Sequence, residues 1–358
     1  MIKIKINNPY EKDFTQELLT HIENKINYLI KNEKLLGNKV DKKGALDNNQ
    51  YVYSHGDTKQ QQIKCQLIDK TKEKRVLNYF KKELKSILNK DVKKLNAYIK
   101  DISRQFPDMT NPQSNIFKII KYIFVQSGYE SKISNSNDNL IAYRLIKELG
   151  IKTCPYCNRN YISYIKNAEK QTRPQLDHFY PKSLYPFLAC SFYNLIPCCS
   201  ACNLMKSDDD SYKDELLSPY NVDDNDFIFS YTLKNLKLLK ILDLYNIKHE
   251  DENSLNIVLK TKYKKNNKYF QLEKIYQNHK DIVIELILKS IHYPKSYIKE
   301  LVKSGFGSED EIYRFIFSNY LEVNDLHKRP LSKLTRDIIS ELGLLYKIEL
   351  LIKENRTA

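Results

Sequence analysis

Tryptophan is missing from this chain of 358 residues and only 8 glycines occur, whereas lysine, asparagine, isoleucine and tyrosine are abundant. This bias indicates an AT-rich genome rather than a function. No run approaches the roughly 18 consecutive apolar residues that predict a membrane-spanning helix. The first residues also lack the apolar stretch of a secretory signal peptide. We therefore expect a cytoplasmic protein without a membrane segment, with a length that suits two or three domains.

Cysteine is scarce outside one segment of the chain. Six of the 7 cysteines lie between Cys154 and Cys202, and only Cys65 lies elsewhere. Because a cytoplasmic protein keeps its thiols reduced, this clustering indicates metal binding rather than disulfide formation.

Acidic residues are the minority charge, with 44 Asp and Glu against 59 Lys and Arg, for a net charge of +15. Such an excess favours a polyanionic partner, because lysines that neutralise phosphates release counterions, although a lysine-rich genome produces the same excess. Residues 51–100 carry 13 basic against 5 acidic side chains, and residues 207–226 carry 1 against 8. We interpret the basic stretch either as a non-specific phosphate-binding surface or as an exposed helix face, and the acidic one as a solvated linker.

Apolar spacing predicts a mostly helical α+β protein. The stretch 36–60 holds Gly, Asn, Asp, Ser and His without a helical or strand period, which predicts a loop, and the polar segment 128–139 predicts a linker. Gly150 is expected at a helix C-terminus, and Ser308 with Glu311 forms a predicted capping box. Short strands are expected at 227–232 and 255–260, and helices at 13–35, 72–104, 114–127, 138–149, 270–290, 294–303, 309–320 and 331–353. These patterns divide the chain into a helical part (1–150), a central part that ends with the acidic linker (151–226) and a mainly helical part (227–358).

The central part contains two CxxC pairs, and two pairs of thiolates from two turns make the closed tetrahedral site of a structural zinc ion. Cys198 could replace Cys199, but it would give the less suitable spacing CxxxC. Cys190 is expected to be a small buried residue, and a thioredoxin-like redox role is disfavoured because the βαβ context is missing. The predicted zinc ligands are Cys154, Cys157, Cys199 and Cys202.

Four motifs follow one another in this part: CxxC from Cys154, DHxxPxS from Asp177, NLxP from Asn194, and CxxCNxxK from Cys199 to Lys206. Their order resembles the zinc-knuckle form of the HNH endonucleases, also called the ββα-metal or His-Me finger superfamily. The resemblance covers about 55 residues and implies a central ββα-metal core between helical flanks. It maps the three signature letters onto His178, Asn194 and Asn203, and it implies that Asn194 has a structural role in the loop that orients His178.

The same side chains suit phosphodiester hydrolysis, which requires an activated water and an electrostatic clamp on the developing charge. His178 can take the proton of the water. Asp177 and Asn203 supply hard oxygen ligands for Mg²⁺ or Mn²⁺, and Lys206, on the same helix face as Asn203, could bind the scissile phosphate. Because neighbouring side chains on a strand point to opposite faces, Asp177 and His178 must lie where a strand twists into a loop.

Further basic and imidazole side chains are weaker candidates. Arg159, Arg173 and Lys182 are candidate phosphate contacts, with solvated surface charge as the competing interpretation. His279 and His327 lie on or near predicted helices, and we interpret both as structural.

The predicted function is a Mg²⁺- or Mn²⁺-dependent HNH endonuclease that hydrolyses DNA, with RNA as an alternative substrate. The layout of helical flanks around the core resembles HNH proteins of bacterial anti-phage defence, including Septu-type systems, which implies an ATPase partner encoded nearby. The competing hypothesis is a zinc-stabilised nucleic-acid-binding or interaction module without catalysis. The sequence does not give the oligomeric state, the cut site or the trigger.

Overall fold

The protein is described by a computed structural model that is mostly helical, with five small two-stranded sheets in the part of the chain that it describes. The described residues are 1–6, 10–31, 39–40, 46–47, 51–53, 63–65, 70–134, 140–167, 171–234 and 255–343. Among these residues no helix is both long and apolar enough to cross a bilayer.

The N-terminal part is a set of amphipathic helices. Helix α1 (Tyr10–Lys31) buries a stripe of apolar side chains at spacings of three and four residues, as its sequence predicts. The helical pattern over 72–104 forms two helices, because the side chain of Asp91 accepts a hydrogen bond from Lys93 N at 2.7 Å and starts a new helix there. The helices of this part are α2 (Lys70–Leu88), α3 (Val92–Gln105), α4 (Asn115–Lys121) and α5 (Leu140–Leu149), with a 3₁₀ turn at Pro107–Thr110.

Four short strands lie between α1 and α2, and three of them fall within the stretch 36–60 that the sequence predicted as a loop. They are β1 (Lys39–Val40), β2 (Leu46–Asp47), β3 (Tyr51–Tyr53) and β4 (Ile63–Cys65), paired β1 with β2 and β3 with β4. Gly150 ends α5 at a φ of 62° and donates to Ile146 O, so its predicted place at a helix C-terminus is confirmed.

The segment predicted as a polar linker is largely a helix. A π-helix over Tyr122–Ser134 continues directly from α4, and it buries Gly128, Tyr129 and Ile133. The polar composition of this stretch was misleading because its few apolar side chains all point inward. Residues 135–139 of the predicted linker lie outside the described part of the chain.

The central part holds a short antiparallel pair of strands followed at once by a helix. Strand β7 (Gln175–His178) pairs with β8 (Leu195–Cys198), with His178 opposite Leu195 at the end of the ladder. Helix α6 (Ser200–Lys206) begins two residues after β8 and lies against β7. Two 3₁₀ turns, Pro186–Leu188 and Phe192–Asn194, fill the connection between the strands, and a second small hairpin precedes it, formed by β5 (Ile165–Lys166) and β6 (Gln171–Thr172).

The C-terminal part confirms both predicted strands. Strand β9 (Ile228–Leu233) pairs antiparallel with β10 (Leu255–Lys260). The helix predicted over 270–290 starts after Gln271, which has a left-handed φ of 46°, and a 3₁₀ turn over Gln277–His279 divides it. The predicted capping box of Ser308 and Glu311 is present. The helices are α7 (Lys264–Phe270), α8 (Leu272–Tyr276), α9 (Lys280–His292), α10 (Lys295–Lys303), α11 (Glu309–Phe317) and α12 (Ser332–Glu341), with 3₁₀ turns at Gln277–His279 and Val323–Lys328; residues beyond 343 lie outside the description.

The acidic stretch 207–226 is more firmly packed than a solvated linker. Its apolar side chains Leu216, Tyr220 and Val222 are buried. Some of its carboxylates pair with basic side chains of both flanking parts, as Asp214 does with Lys265 at 3.2 Å and Asp223 does with Lys3 at 3.0 Å. Part of the acidic charge of this stretch therefore serves contacts within the protein.

One continuous hydrophobic cluster joins all three parts of the chain. Phe14 of α1 packs edge-on against Phe192, with ring centroids 5.4 Å apart. On the other side Tyr156 stacks on Phe270 of α7 at 4.3 Å. The flanking helices thus support the centre directly, and the division of the chain into three domains stays a prediction.

Gly128 of the π-helix gives a test of this packing. A Cβ atom at this position would lie 2.5 Å from the Sγ atom of Cys190. Alanine normally stabilises a helix interior by about 0.5–1 kcal/mol relative to glycine. We expect the opposite sign here, because overpacking of a core costs about 1–3 kcal/mol. Gly128→Ala should therefore lower the melting temperature.

The control removes the obstructing atom. Cys190→Ala in the Gly128→Ala background should restore part of the lost stability, and a thermal double-mutant cycle measures this coupling. A higher melting temperature for Gly128→Ala alone would show that the helix does not pack against Cys190 as described.

Candidate functional site

Four cysteine side chains meet in the central part. The Sγ atoms of Cys154, Cys157, Cys199 and Cys202 all lie within 4.8 Å of one another, and all four residues are buried. The Sγ atoms of Cys157 and Cys199 are 4.0 Å apart, far beyond a disulfide bond. A tetrahedral zinc site with Zn–S bonds of about 2.3 Å requires sulfur atoms about 3.8 Å apart. The donor set and its spacing therefore fit a zinc ion.

Cys199, rather than Cys198, belongs to this cluster, in agreement with the preferred prediction. Cys198 ends β8, and its thiol lies 4.0 Å from Asn203 Oδ1. Cys190 is fully buried, as predicted, and its thiol donates to Phe124 O at 3.0 Å.

The first turn of the cluster is closed by Asn158. Its φ of 50° is a left-handed conformation that asparagine tolerates better than most residues. Its buried amide donates to Thr153 Oγ1 and to Leu326 O, and its Oδ1 accepts from Lys333 N. These bonds tie the turn to the C-terminal part.

His178 lies at the point where β7 enters a loop, as predicted for a twisted strand end. It is 8% exposed, its Nε2 lies 3.1 Å from Ala189 O, and its ring packs edge-on against Tyr129 of the π-helix at 4.3 Å. Burial lowers the pKa of His178 to about 3, with Lys182 and Lys206 acting in the same direction. The imidazole is therefore neutral at pH 7. Because Nε2 faces a carbonyl oxygen, it carries the proton, and Nδ1 keeps its lone pair.

Asp177 is held at both of its carboxylate oxygens. Oδ2 accepts from the Tyr156 hydroxyl at 2.5 Å, and Oδ1 accepts from Lys206 Nζ at 3.1 Å. Burial raises the pKa of the Asp177 carboxyl above its usual range, while the Lys206 ammonium and the Tyr156 bond oppose that rise. Tyr156 lies between the two cysteines of the first CxxC, so the cysteine cluster and Asp177 are connected through one side chain.

Asn203 and Lys206 lie on α6, one turn apart. Lys206 is fully buried, and its ammonium donates to Asp177 Oδ1 and to His178 O at 2.9 Å. Asn203, which follows Cys202 directly, is partly buried. Lys206 reaches Asp177, and Asn203 Oδ1 lies 4.0 Å from the Cys198 thiol; that Asp177 and Asn203 hold one divalent ion together stays a prediction. The phosphate-binding role predicted for Lys206 stays a prediction, with its amine turned toward Asp177 in this structure.

Asn194 fixes the loop between the two strands. Its Oδ1 accepts from Tyr180 N at 2.7 Å, and its Nδ2 donates to Tyr180 O and Leu188 O. Leu188 immediately precedes Ala189, the partner of His178. The bonds made by Asn194 therefore support the surroundings of His178.

The three weaker phosphate candidates all have partners within the protein. Arg159 Nε donates to His279 Nε2 at 2.9 Å, and Arg173 donates to Pro174 O and Ser134 Oγ. Lys182 pairs with Glu130 at 3.1 Å and lies over the Tyr129 ring. Their roles toward a phosphate stay predictions. Lys182 lies over the Tyr129 ring, which itself packs against His178. His279 and His327 are each about half-buried, and His279 Nε2 accepts the hydrogen bond from Arg159.

Two contributors to the site were not found from the sequence. Tyr156 could have been noticed, since it lies inside the CxxC pair whose cluster positions Asp177. Tyr129 had no sequence signal, because it lies in the segment taken for a linker and reaches His178 only through the packing of the π-helix.

Comparisons with known proteins give one distant relation. No family model and no solved structure matches the chain. The Septu protein PtuB of Bacillus thuringiensis is 31% identical over 93 residues, which are 25% of this chain and 34% of that protein. The match thus spans about a third of the curated relative. The chain combines a buried four-cysteine cluster that can hold zinc with a distant similarity to a Septu protein.

Proposed function

We propose that this protein is a zinc-stabilised HNH endonuclease that hydrolyses DNA phosphodiesters with Mg²⁺ or Mn²⁺ and serves in defence against phage or other foreign DNA. The observation that carries the proposal is the arrangement around His178. A two-stranded antiparallel pair leads directly into a short helix, with Asp177 and His178 at the end of the first strand and Asn203 on the helix. This is the order of elements that the ββα-metal resemblance implies.

His178 is suited to act as the general base. Its Nε2 proton is engaged by Ala189 O, so Nδ1 is the atom that would accept the proton of the attacking water. Tyr129 and the loop held by Asn194 keep the ring in one orientation. The fixed, neutral imidazole keeps the lone pair on Nδ1 that base catalysis requires, and the burial that keeps it neutral also lowers its basicity.

Asp177 and Asn203 are the residues that would hold the divalent ion. A carboxylate and an amide oxygen match the preference of Mg²⁺ for hard oxygen ligands. When bound, such an ion stabilises negative charge on the phosphate and the leaving oxygen. Tyr156 orients the carboxylate from the side of the cysteine cluster, and Cys202 fixes the start of the turn that carries Asn203.

A basic surface beside the site supports a nucleic-acid substrate. Asn96 of α3 accepts a hydrogen bond from Tyr180 OH at 2.8 Å, so α3 lies against the loop that follows His178. The exposed residues of this helix include Lys93, Lys94 and Lys100. Lysines in this position can follow a phosphate backbone to the site.

The defence role and an ATPase partner rest on the resemblance to Septu-type systems together with the match to PtuB. The proposal of DNA over RNA rests on the resemblance alone, and cleavage assays on matched DNA and RNA distinguish the two. A binding module without catalysis is the competing function. It gives no role to the motif residues His178, Asp177 and Asn203, which the nuclease proposal explains.

Replacing the proposed base gives the first test of function. His178→Ala should reduce divalent-dependent nicking of a supercoiled plasmid by at least about 100-fold, because the water loses its proton acceptor. His292→Ala, at the exposed end of α9, is the matched control and should cut normally. Zinc content should be unchanged in both variants.

Full nicking by His178→Ala would remove the proposed role of this residue. If the wild-type chain binds DNA but cuts neither DNA nor a matched RNA with any divalent ion, with and without its ATPase partner, the binding-module hypothesis replaces the nuclease.

Replacing single cysteines tests the zinc site. Cys199→Ser should lose bound zinc and unfold at a lower temperature, because metal binding contributes directly to folding free energy. Cys198→Ser is the neighbouring control and should keep one zinc per chain, since this thiol lies outside the cluster. Zinc is measured by elemental analysis of the purified proteins, and equal zinc contents in the two variants would contradict the ligand assignment.

A further inference from the structure

Lys206 is a fully buried lysine whose charge is directed at a proposed metal ligand. Its relative exposure is 0%, and its ammonium lies 3.1 Å from Asp177 Oδ1. Lysine is almost never fully buried unless it is paired. The ion pair with Asp177 therefore accounts for the burial of Lys206. In the proposed function the same carboxylate also binds a divalent ion, so two cations share one ligand.

The carboxylate of Asp177 cannot stand alone in this environment. It is 4% exposed, and an unpaired buried charge is strongly unfavourable. Tyr156 donates one neutral hydrogen bond to Oδ2, which orients the group without supplying charge. Lys206 supplies the one positive charge in contact with the carboxylate among the described residues. The ammonium thus stands where a metal cation would otherwise balance Asp177.

From this geometry we propose that Lys206 is a built-in counter-cation that competes with the divalent ion for Asp177. The inference rests on the proposed function, because it assigns Asp177 as a metal ligand. With no divalent ion bound, Lys206 neutralises Asp177 and keeps the strand end and α6 together. A divalent ion held by Asp177 would repel the Lys206 ammonium, so the ion pair between Lys206 and Asp177 would open.

The competition has two consequences for the protein. The apparent affinity for Mg²⁺ is lower than Asp177 and Asn203 alone would give, because each binding event must break the Lys206 pair. The displaced amine is also the form of Lys206 that could meet a phosphate, so the phosphate-binding role predicted from the sequence would follow metal binding.

Thermal unfolding in the presence of Mg²⁺ measures the competition without any nucleic acid. The zinc-loaded wild-type chain and Lys206→Met are each titrated with Mg²⁺. Methionine keeps much of the length and the apolar stem of lysine but removes its charge. Without Mg²⁺ the variant should melt at a lower temperature, because Asp177 loses its counter-charge. With Mg²⁺ it should recover, at a midpoint concentration at least about tenfold lower than that of the wild type.

Two further variants separate charge from orientation. Tyr156→Phe removes the other hydrogen bond to Asp177 but no charge, so its Mg²⁺ midpoint should not fall. In Lys206→Met combined with Asp177→Asn, the Mg²⁺-dependent recovery should disappear, which places the response at this carboxylate.

Chemical labelling of the wild-type chain gives a second measurement that does not depend on a variant folding. An amine-reactive reagent followed by peptide mass spectrometry should label Lys206 faster when Mg²⁺ is present. Lys333 is the internal control, since it is also buried and pairs with Asp337 at 2.7 Å. Its labelling should not respond to Mg²⁺.

Equal Mg²⁺ midpoints for the wild type and Lys206→Met would overturn the inference, as would the lack of any Mg²⁺ response in either protein. Lys206 labelling that ignores Mg²⁺ would also overturn it. A chain that shows the predicted midpoints but never cuts would fail as a nuclease and still support the competition, because the thermal titration contains no substrate.

Discussion

The closure of four thiols from two distant turns is the constraint on which the centre of this protein depends. The first turn, at Cys154 and Cys157, and the second, at Cys199 and Cys202, are brought within 4.8 Å of each other. Everything between them must fold back, which produces the antiparallel pair of β7 and β8. The second turn also starts α6, so the position of the cluster sets the direction of the helix that carries Asn203. A metal ion in this cluster would therefore act on the candidate site through geometry alone.

The cluster is held from outside as well as from within. The Tyr276 hydroxyl donates to Cys157 O at 2.6 Å, and Asn158 bonds to Leu326 O and Lys333 N. These contacts join the first turn of the cysteine cluster to elements more than 100 residues away in the chain. They explain why the central 55 residues do not form an isolated module here: their turn is completed by the C-terminal part, and the ring on His178 comes from the N-terminal π-helix.

Buried charge is the second organising feature. Asp177, Lys206 and the neutral His178 all lie in a region with little access to water. In such surroundings each charge needs a partner, and the partner decides its chemistry. Tyr156 and Lys206 make Asp177 a fixed carboxylate, and Ala189 O gives the His178 ring one defined tautomer. The proposed competition at Lys206 and the proposed base role of His178 both depend on this low solvent access.

The sequence by itself determined the members of the cysteine cluster, most of the helices, the strands β9 and β10 and the order of the motifs, because spacing and periodicity are local properties. It also favoured Cys199 over Cys198 by spacing alone. The π-helix, the packed acidic stretch and the burial of Lys206 were decided only by the tertiary structure. Each depends on atoms far away in the chain: Tyr129 reaches His178 across 49 positions, and Lys206 reaches Asp177 across 29. The local spacing of residues in the sequence predicts which residues belong to a site. Long-range packing decides which charges face each other and which are removed from water.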